Sequence, residues 1–536
     1  MLKKIINFLY FNNRFESKLK NAYKILERKK EIQKIYQLKE KLHKIRYVKN
    51  RGIDNIFVNY NLDFHLSLNQ FIYSRIINKP IFTSILMFCI AFNKKFIFPL
   101  PQIYLIEIKK LVNVNFFLSK SIFYIFTIVF FLYQFFSIFK FVGYFFKKKK
   151  ADEKKIYLDS IPKLYSEESF ENKNLDFFKW VIKKFEISSN LIFVHSNPNI
   201  ENKIIQLTNN SYRTVYCKEP ISYFLNFSNF QYFILSFFQT LFTLAKIIFF
   251  HKIEMLLLSK ELFSFYLFKN IKMKQNYDLC LFNNSNMVFR PLWTYVNETN
   301  NKSSVILYFY SLNLIPLLQE LVKERYFDTY GYSLHTWTKY IVWTKEHGDW
   351  LEKNITNNKI EYSLTKYLPF AGKNIPLIKN KKILTIFDVP PKRPGIYYLL
   401  NNPYNIYTID YCIKFVDDIL NAVPTKLYSN IEIVFKMKKE YKNIDPVYKK
   451  FLQEKLKIRN IKIMSDISPE SIIDISDATI SIPFTSTAIT SFRKNKKTIY
   501  YDPSGKLSNN NCLEKNIELI TSSTNLQRWI IRNFTQ

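Results

Sequence analysis

Hydroxyl side chains crowd one segment of this 536-residue sequence, Ser468-Pro-Glu-Ser-Ile-Ile-Asp-Ile-Ser-Asp-Ala-Thr-Ile-Ser-Ile-Pro-Phe-Thr-Ser-Thr-Ala. The pattern predicts a helix, a strand, a stop at Pro483, and then Thr485, Ser486 and Thr487 opening the next helix. Hydroxyls and unpaired N–H groups at such a helix start attract phosphate, because the helix dipole adds partial positive charge there. Simple N-capping is the structural alternative. Lys436 and Lys438 follow a predicted strand at 431–435 and present two ammonium groups that could neutralise a diphosphate leaving group; a solvated strand end is the other reading. Asp388 ends the strand 382–387 and leads into Val-Pro-Pro-Lys392-Arg393-Pro-Gly. Lys392 and Arg393 suit phosphate recognition. Asp388 could take a proton from an acceptor hydroxyl, or serve a turn or helix cap. Upstream, His195 before Ser-Asn-Pro, and Glu346 beside His347, are further proton-transfer candidates; a partly buried loop histidine is the alternative for His195.

Several chemistries are excluded. The seven glycines, at 52, 143, 331, 348, 372, 395 and 505, form neither a dinucleotide fingerprint nor a P-loop. Phosphate chemistry must therefore rely on helix starts, hydroxyls and cations. The five cysteines, at 89, 217, 280, 412 and 512, contain no C-x-x-C pair and give no disulfide framework or structural zinc site. No Asp-x-Asp occurs, so the paired carboxylates that hold a divalent metal in many sugar-nucleotide transferases are missing. The expectation is chemistry without metal or other cofactor, in which cations and helix N-termini stabilise the departing diphosphate.

At Pro483-Phe484-Thr485-Ser486 the sequence resembles the bacterial polysaccharide-biosynthesis proteins called PFTS-motif proteins, and about residues 380–505 follow their pattern. The resemblance implies a GT-B-type glycosyltransferase acting on capsule, lipopolysaccharide or another surface glycan. The segment is similar, more loosely, to GT-B sialyl- and Kdo-transferases, in which a Ser/Thr pair at a helix start holds the donor nucleotide's phosphate. That comparison carries the role onto Thr485, Ser486 and Thr487. Lys-Met-Lys stands where the sialyl type has His-Pro, and the family's acidic motif with a neighbouring glycine is not reproduced at Asp388.

The elements that must position these residues read as α/β, with two Rossmann-like domains facing each other. Strands are expected at 191–195, 214–217, 278–282, 304–309 and 339–343, with helices at 201–207, 245–268 and 346–353, in a first, acceptor domain over 160–375. A linker at 371–380 leads to a donor domain over 376–536. Its expected strands are 382–387, 431–435, 461–463, 478–482 and 497–501, and its helices 407–423, 446–456, 469–475, 487–492 and 525–532. Ligands of such sheets bind at the carboxyl ends of their strands.

Residues 1–159 read as a basic, apolar helical extension. Spacing over 14–49 predicts an amphipathic helix whose basic face either meets an anionic membrane surface, at on the order of 1 kcal/mol per Lys or Arg, or stays solvated. Two uncharged runs, 121–139 and 221–245, are long enough to cross a bilayer. Lysines flank the first on both sides, and the second lies between strands of one sheet, so helices that lie in the membrane interface or pack on the protein are expected rather than spans, with a membrane-embedded hairpin as the second choice.

Composition supports large cores: 48% of residues are hydrophobic and 18% aromatic, which excludes dominant disorder. Lys plus Arg number 79 against 43 Asp plus Glu, a formal charge of +36 that favours phosphate or anionic-lipid partners, although part of that excess follows from an AT-rich coding bias. No zinc-finger, RNP or helix-turn-helix signal accompanies the charge, so nucleic acid is not an expected partner. No signal peptide is read, and a cytoplasmic location at the inner face of the cell membrane is expected. The sequence thus points to transfer of a sugar from a nucleotide-sugar donor to a lipid-linked glycan acceptor. The alternative is a non-catalytic membrane-surface scaffold on a degenerate fold of the same type.

Overall fold

The computed structural model of the chain describes residues 13–47, 50–145, 154–159, 176–186, 191–196, 205–209, 212–217, 219–271, 277–283, 287–301, 303–310, 312, 328, 330–355, 359–368, 381–391, 406–437, 445–458, 461–464, 467–508, 514 and 516–535. The amphipathic stretch near the start forms two helices, α1 (Asn13–Arg28) and α2 (Ile32–Lys44), broken where Lys30 takes a left-handed φ of 55°. Leu19, Ala22 and Leu26 on α1 and Ile35 and Leu42 on α2 are fully buried in the protein core. The apolar stripe is thus consumed by packing, and only the charged face is left to meet any other surface.

Helices α3 (Phe64–Ile72), α4 (Pro80–Phe92) and α5 (Phe116–Ile138) follow. They are joined by residues that leave the first sheet after its fourth strand: 3-10 turns at Pro220–Tyr223 and Phe227–Asn229, then α6 (Phe230–Phe249) and α7 (Ser259–Asn270). The expected single helix over 245–268 is interrupted at His251, whose φ is 54°, and by a 3-10 turn at Ile253–Leu258. The expected second apolar run from 221 is helical only from Phe227 onward.

The first sheet contains β1 (Lys154–Asp159), β2 (Leu191–Ser196), β3 (Ile205–Asn209), β4 (Tyr212–Cys217), β5 (Leu279–Asn283), β6 (Ser304–Tyr308), β7 (Lys339–Val342) and β8 (Glu361–Leu364). Their order is β3-β4-β2-β1-β5-β6-β7-β8. All neighbours are parallel except β3 on β4. The helix expected at 201–207 is therefore corrected where it overlaps β3: residues 205–207 belong to an edge strand paired antiparallel with β4, a run too short for periodicity to tell strand from helix. The sheet also starts at Lys154, ahead of the expected domain start.

The second sheet contains β9 (Lys382–Phe387), β10 (Ile431–Lys436), β11 (Lys462–Met464), β12 (Ala478–Ser481), β13 (Lys497–Tyr501) and β14 (Glu518–Ile520), in the order β11-β10-β9-β12-β13-β14. Every pair is parallel. The chain runs outward from β9 to β11 and then returns to β12, so the direction of winding reverses between β9 and β12. A crevice opens at the carboxyl ends of strands at such a reversal. The two units also contain helices α8 (Lys345–Asn354), α9 (Ile409–Ala422), α10 (Pro446–Ile458), α11 (Pro469–Ile475), α12 (Ser486–Arg493) and α13 (Ser523–Phe534), beside the helices Asp176–Lys184 after β1 and Trp293–Asn301 between β5 and β6. Both Rossmann-like units of the expected α/β, GT-B-like fold are present.

The chain leaving β8 is held from both sides. Tyr308 donates its hydroxyl to the Tyr367 carbonyl at 3.0 Å from the first unit. From the second, Arg493 donates to the Thr365 carbonyl at 2.8 Å, and Glu470 accepts the Leu368 N–H at 2.5 Å. The expected linker at 371–380 lies outside the described residues.

Candidate functional site

The turn from β12 into α12 is built by three local constraints. Strand β12 is buried along its whole length, and Pro483 just beyond it lacks the N–H that would continue the ladder. Phe484 then takes a left-handed φ of 64°, a conformation that costs a side-chain-bearing residue about 1–2 kcal/mol. Its ring is buried, at 2% exposure, and burial of a phenyl group offsets a strain of that size. Thr485 returns to extended geometry (φ −102°, ψ 140°) and α12 begins at Ser486.

Thr485 occupies the N-cap position but does not cap. Its Oγ1 donates backward to the Ile482 carbonyl at 3.0 Å, and among the described residues no side chain accepts from the first-turn amides. The hydroxyls form a relay instead. Thr487 Oγ1 donates to Thr485 Oγ1 at 3.3 Å and lies 3.4 Å from Ser481 Oγ, while the Tyr500 hydroxyl donates to the Thr485 carbonyl at 3.4 Å. The capping alternative is therefore not what the chain adopts at Thr485. The α12 N-terminus keeps its partial positive charge without a protein side chain to satisfy it. Ser486 and Thr487 are partly exposed there, whereas Thr485 is buried.

The same sheet edge gathers two other predicted residues. Phe387 pairs in register with Ser481, so Asp388 and the Pro483 turn leave adjacent strands on either side of the crevice. Asp388 is buried, and its Oδ2 accepts from the Tyr448 hydroxyl at 3.3 Å. Desolvation and then the charge of Asp388 push the Cys412 thiol well above its ordinary range. Lys436 ends β10, two strands from β12, or roughly 10 Å across the sheet. It is buried and donates Nζ to the Met437 carbonyl at 2.8 Å. Lys438, Lys392 and Arg393 lie outside the described residues.

Sequence reasoning missed the supporting residues Ser481, Tyr500, Tyr448 and Asp502. Asp502, fully buried after β13, accepts from the Ser504, Lys506 and Leu507 amides at 3.0 Å and from the Ser504 hydroxyl at 2.6 Å. Its signal was the turn-forming Asp-Pro-Ser-Gly sequence after a strand. For Ser481 the signal was Thr479 and Ser481 at period two within an otherwise apolar strand.

The first-unit candidates are dispersed. His195 lies at the carboxyl end of β2, in register with Leu158 and Tyr216. Glu346 is exposed in the first turn of α8. His347 beside it is fully buried, with its ring edge-on to Phe309 at 5.0 Å. Burial lowers its pKa to about 3, so it stays neutral and sealed from substrate. Among the described residues, no group of three or more His, Cys, Asp or Glu is placed to hold a metal ion.

Among solved structures, the chain is similar to trehalose 6-phosphate synthase from Burkholderia multivorans, at 8% identity and a TM-score of 0.38, over 72% of this chain and 89% of that one. It is similar to sucrose-phosphate synthase from Thermosynechococcus elongatus at 11% identity and a TM-score of 0.37, over 72% and 90%. A third likeness is to the pneumococcal O-GlcNAc transferase GtfA, at 10% identity and a TM-score of 0.30, over 52% and 53%. No curated protein matches the chain. Residues 242–530, more than half of the sequence and including both the second sheet and its Pro-Phe-Thr-Ser turn, match the family described as polysaccharide biosynthesis PFTS motif protein. The chain belongs to that family.

Proposed function

We propose that this protein is a GT-B-type glycosyltransferase that moves a sugar from a nucleotide-sugar donor to a lipid-linked glycan acceptor in capsule, lipopolysaccharide or O-antigen synthesis. One observation carries the reading: at the winding reversal of the second sheet, a hydroxyl-lined helix N-terminus has no capping side chain among the described residues. A donor phosphate bound there accepts the amides of the first turn and the Ser486 and Thr487 hydroxyls. Lys436 adds positive charge at the same edge, with Lys438, Lys392 and Arg393 following in sequence from β10 and β9. Charge developing on the leaving phosphate is taken up by these groups without a divalent metal. Asp388 is the proposed base, and His195 and Glu346 are proposed to meet the acceptor from the first unit.

The enzyme is proposed to work at the cytoplasmic face of the cell membrane, attached through α5 and α6. These helices meet at one aromatic ring, Phe237 of α6, which lies 5.7 Å from Phe135 of α5 and 5.6 Å from Phe139 just beyond it. Extended to Phe116–Tyr144 and Phe227–Phe249, both are long and apolar enough to cross a bilayer. Two features favour lying in the interface. Gln134 of α5 is buried and bonded to Leu257, Ser259 and Lys260, so one face of the helix is committed to protein. The chain on either side of α6 and α7 belongs to one sheet, in β4 and β5, and the returning α7 is mostly buried. The opposite faces expose Phe117, Tyr133, Phe136, Phe238, Phe242 and Phe249, an apolar area of the kind that marks a membrane contact.

A thermal-shift screen against CMP-, UDP-, GDP- and dTDP-sugars tests the donor site. One nucleotide should raise the melting temperature, and no response to any of them refutes the reading. Activity should persist in EDTA; a strict Mg²⁺ or Mn²⁺ requirement would overturn the metal-free mechanism. Carbonate extraction should release the protein from membranes.

A further inference from the structure

Helices α3 and α4 meet at a bend of 68°, and between this bend and α5 lies a cavity of about 810 Å³. Its walls are apolar, with Phe71, Ile76, Ile85, Ile122, Phe126 and Phe130 among them. Its polar groups are mostly charged: four cations, Arg75, Lys79, Lys140 and Lys260, face two carboxylates, Glu219 and Glu261. Lys260 is neutralised by Glu219 at 2.5 Å. Glu261 accepts the Leu292 amide at 3.3 Å, and burial raises its carboxyl pKa. The charged heads of Arg75, Lys79 and Lys140 form no ion pair or hydrogen bond among the described residues, and all three are exposed. Desolvation and the neighbouring Arg75 charge both lower the Lys79 pKa, so two cations at the bend already bear on one another. An anion placed between them relieves that repulsion.

We infer that this cavity binds a lipid phosphate, with a long hydrocarbon chain along the apolar walls and a terminal phosphate or diphosphate between Arg75, Lys79 and Lys140. Volume and lining fit a binding site for such a molecule. Arg75 lies over the Phe71 ring at 5.8 Å, and its charge favours the ionised Glu261. A soluble anion would leave the aromatic walls unfilled, and a neutral lipid would leave the three cations without an ion pair. Ile122, Phe126 and Tyr133 line the cavity and are also among the exposed apolar residues of α5, so the opening is continuous with the surface proposed to lie in the membrane. A chain can therefore enter sideways from the bilayer. This inference rests on the transferase reading for its biological sense, since the carrier lipid of a glycan acceptor has this chemistry. Binding itself is measured without turnover.

The test uses the full chain in detergent micelles and a fluorescent C15 isoprenyl monophosphate, competed with unlabelled monophosphate, with the C15 alcohol and with inorganic phosphate. Saturable binding is expected, displaced by the monophosphate and far less by the alcohol or by inorganic phosphate. The double variant Arg75→Gln/Lys79→Gln should raise Kd about tenfold or more for the monophosphate and leave the weak alcohol binding unchanged. Ile85→Trp, which fills the cavity, should weaken both. Should Ile85→Trp fail to fold by circular dichroism, the surface double variant still decides. Equal displacement by inorganic phosphate, equal binding of alcohol and phosphate, or indifference to the double variant would each overturn the inference. The nucleotide-sugar thermal shift separates the two readings: its absence beside retained lipid binding sinks the transferase, and its presence beside unspecific lipid binding sinks only the cavity.

Discussion

Replacing Ser486 by proline separates the phosphate-binding role of the α12 N-terminus from its structural role, because the two respond with opposite signs. Ser486 is the first residue of the helix, where the amide has no intrahelical partner and proline's fixed φ is already helical. The preceding Thr485, at φ −102° and ψ 140°, sits in the region that a residue before proline requires. The fold should therefore tolerate Ser486→Pro and gain about 0.4–1 kcal/mol from the stiffer unfolded chain. Thr490 Oγ1 donates to the Ser486 carbonyl, which proline retains. Binding should move the other way. A hydrogen bond to a charged phosphate is worth about 1.5–3 kcal/mol, so deleting the amide raises the donor Kd about 10- to 150-fold. Ser486→Ala, which keeps the amide and removes the hydroxyl, should lose less than the proline variant. Titration calorimetry with the nucleotide sugar found by screening, beside a thermal melt, reads both signs. A proline variant that melts no lower than the native chain and binds the donor equally well would refute phosphate binding at this turn.

The left-handed Phe484 gives a second test: Phe484→Ala should cost about 3–5 kcal/mol in chemical denaturation, and Phe484→Gly about 1 kcal/mol less, since glycine carries no penalty at φ 64°. Equal costs would mean the turn holds no backbone strain. Acid sensitivity follows from two buried histidines, because burial lowers His335 to about 4 and His347 to about 3 from an ordinary 6.5. For a base whose folded pKa is lowered, the unfolded chain takes up the proton first, so stability is full above about pH 6.5 and is lost as pH falls below it. Each should remove about 1.5 kcal/mol between pH 6.5 and pH 5, and His347→Phe should flatten the pH dependence by one such share. An unchanged slope in urea midpoints between pH 5 and 7 would contradict the burial of His347.

Much of the second unit was legible from sequence because its signals are local. Strand 382–387 and helix 469–475 coincide with expectation, the first an apolar run after charged residues, the second opened by Ser468-Pro469. The first unit was harder for a definite reason. Among the described residues before the second unit, Gly331 alone of the glycines is left-handed, and the other left-handed positions fall to Lys30, Asn61, Asn93, Glu186 and His251, so those helix breaks and turns carry no glycine mark. That hid the break at His251 and the separation of α1 from α2. Strands β1, β8 and β14 are short or flanked by charge, and β3 is an edge strand of five residues, too brief for periodicity to tell strand from helix. At the site, Pro483 followed by three hydroxyl residues announced the turn. Nothing in the sequence announced that the Thr485 hydroxyl turns back to Ile482 and leaves the amides open, because that choice is made by the left-handed residue between them. The cavity was invisible for another reason: its walls come from residues 71–85, 97–99, 122–144, 219 and 257–261, joined only in the folded chain.

The origin of that last region bears on how the protein divides its labour. Residues 220–271 interrupt the first sheet between β4 and β5, and they pack both with helices that precede the sheet in sequence and with the helix Trp293–Asn301 that joins β5 to β6, against whose Trp293 the Phe268 ring stacks at 4.7 Å. Gln134 of α5 is bonded to 257–260, and Thr243 of α6 shares a 2.7 Å hydrogen bond with Tyr266 of α7. Buried side-chain bonds of this kind fix helix pairs in one register, since breaking one strands a buried polar group at about 1–3 kcal/mol. The layer is thus internally rigid while its outer faces stay apolar and exposed, a combination of little use to a helix dissolved in water but suited to one that rests on lipid and holds a fixed cavity open. The apolar stripes of α1 and α2 close the layer from behind, which is why the most basic segment of the chain serves as packing as well as charge. Cations at the bend between α3 and α4 then face the cavity from a rigid frame, and the turn before α12 faces its own crevice from another. The transfer proposed above, between a soluble nucleotide sugar and a lipid, needs two such frames, and the family match at 242–530 begins within α6, so it takes in more than half of the insertion as well as nearly all of the second unit.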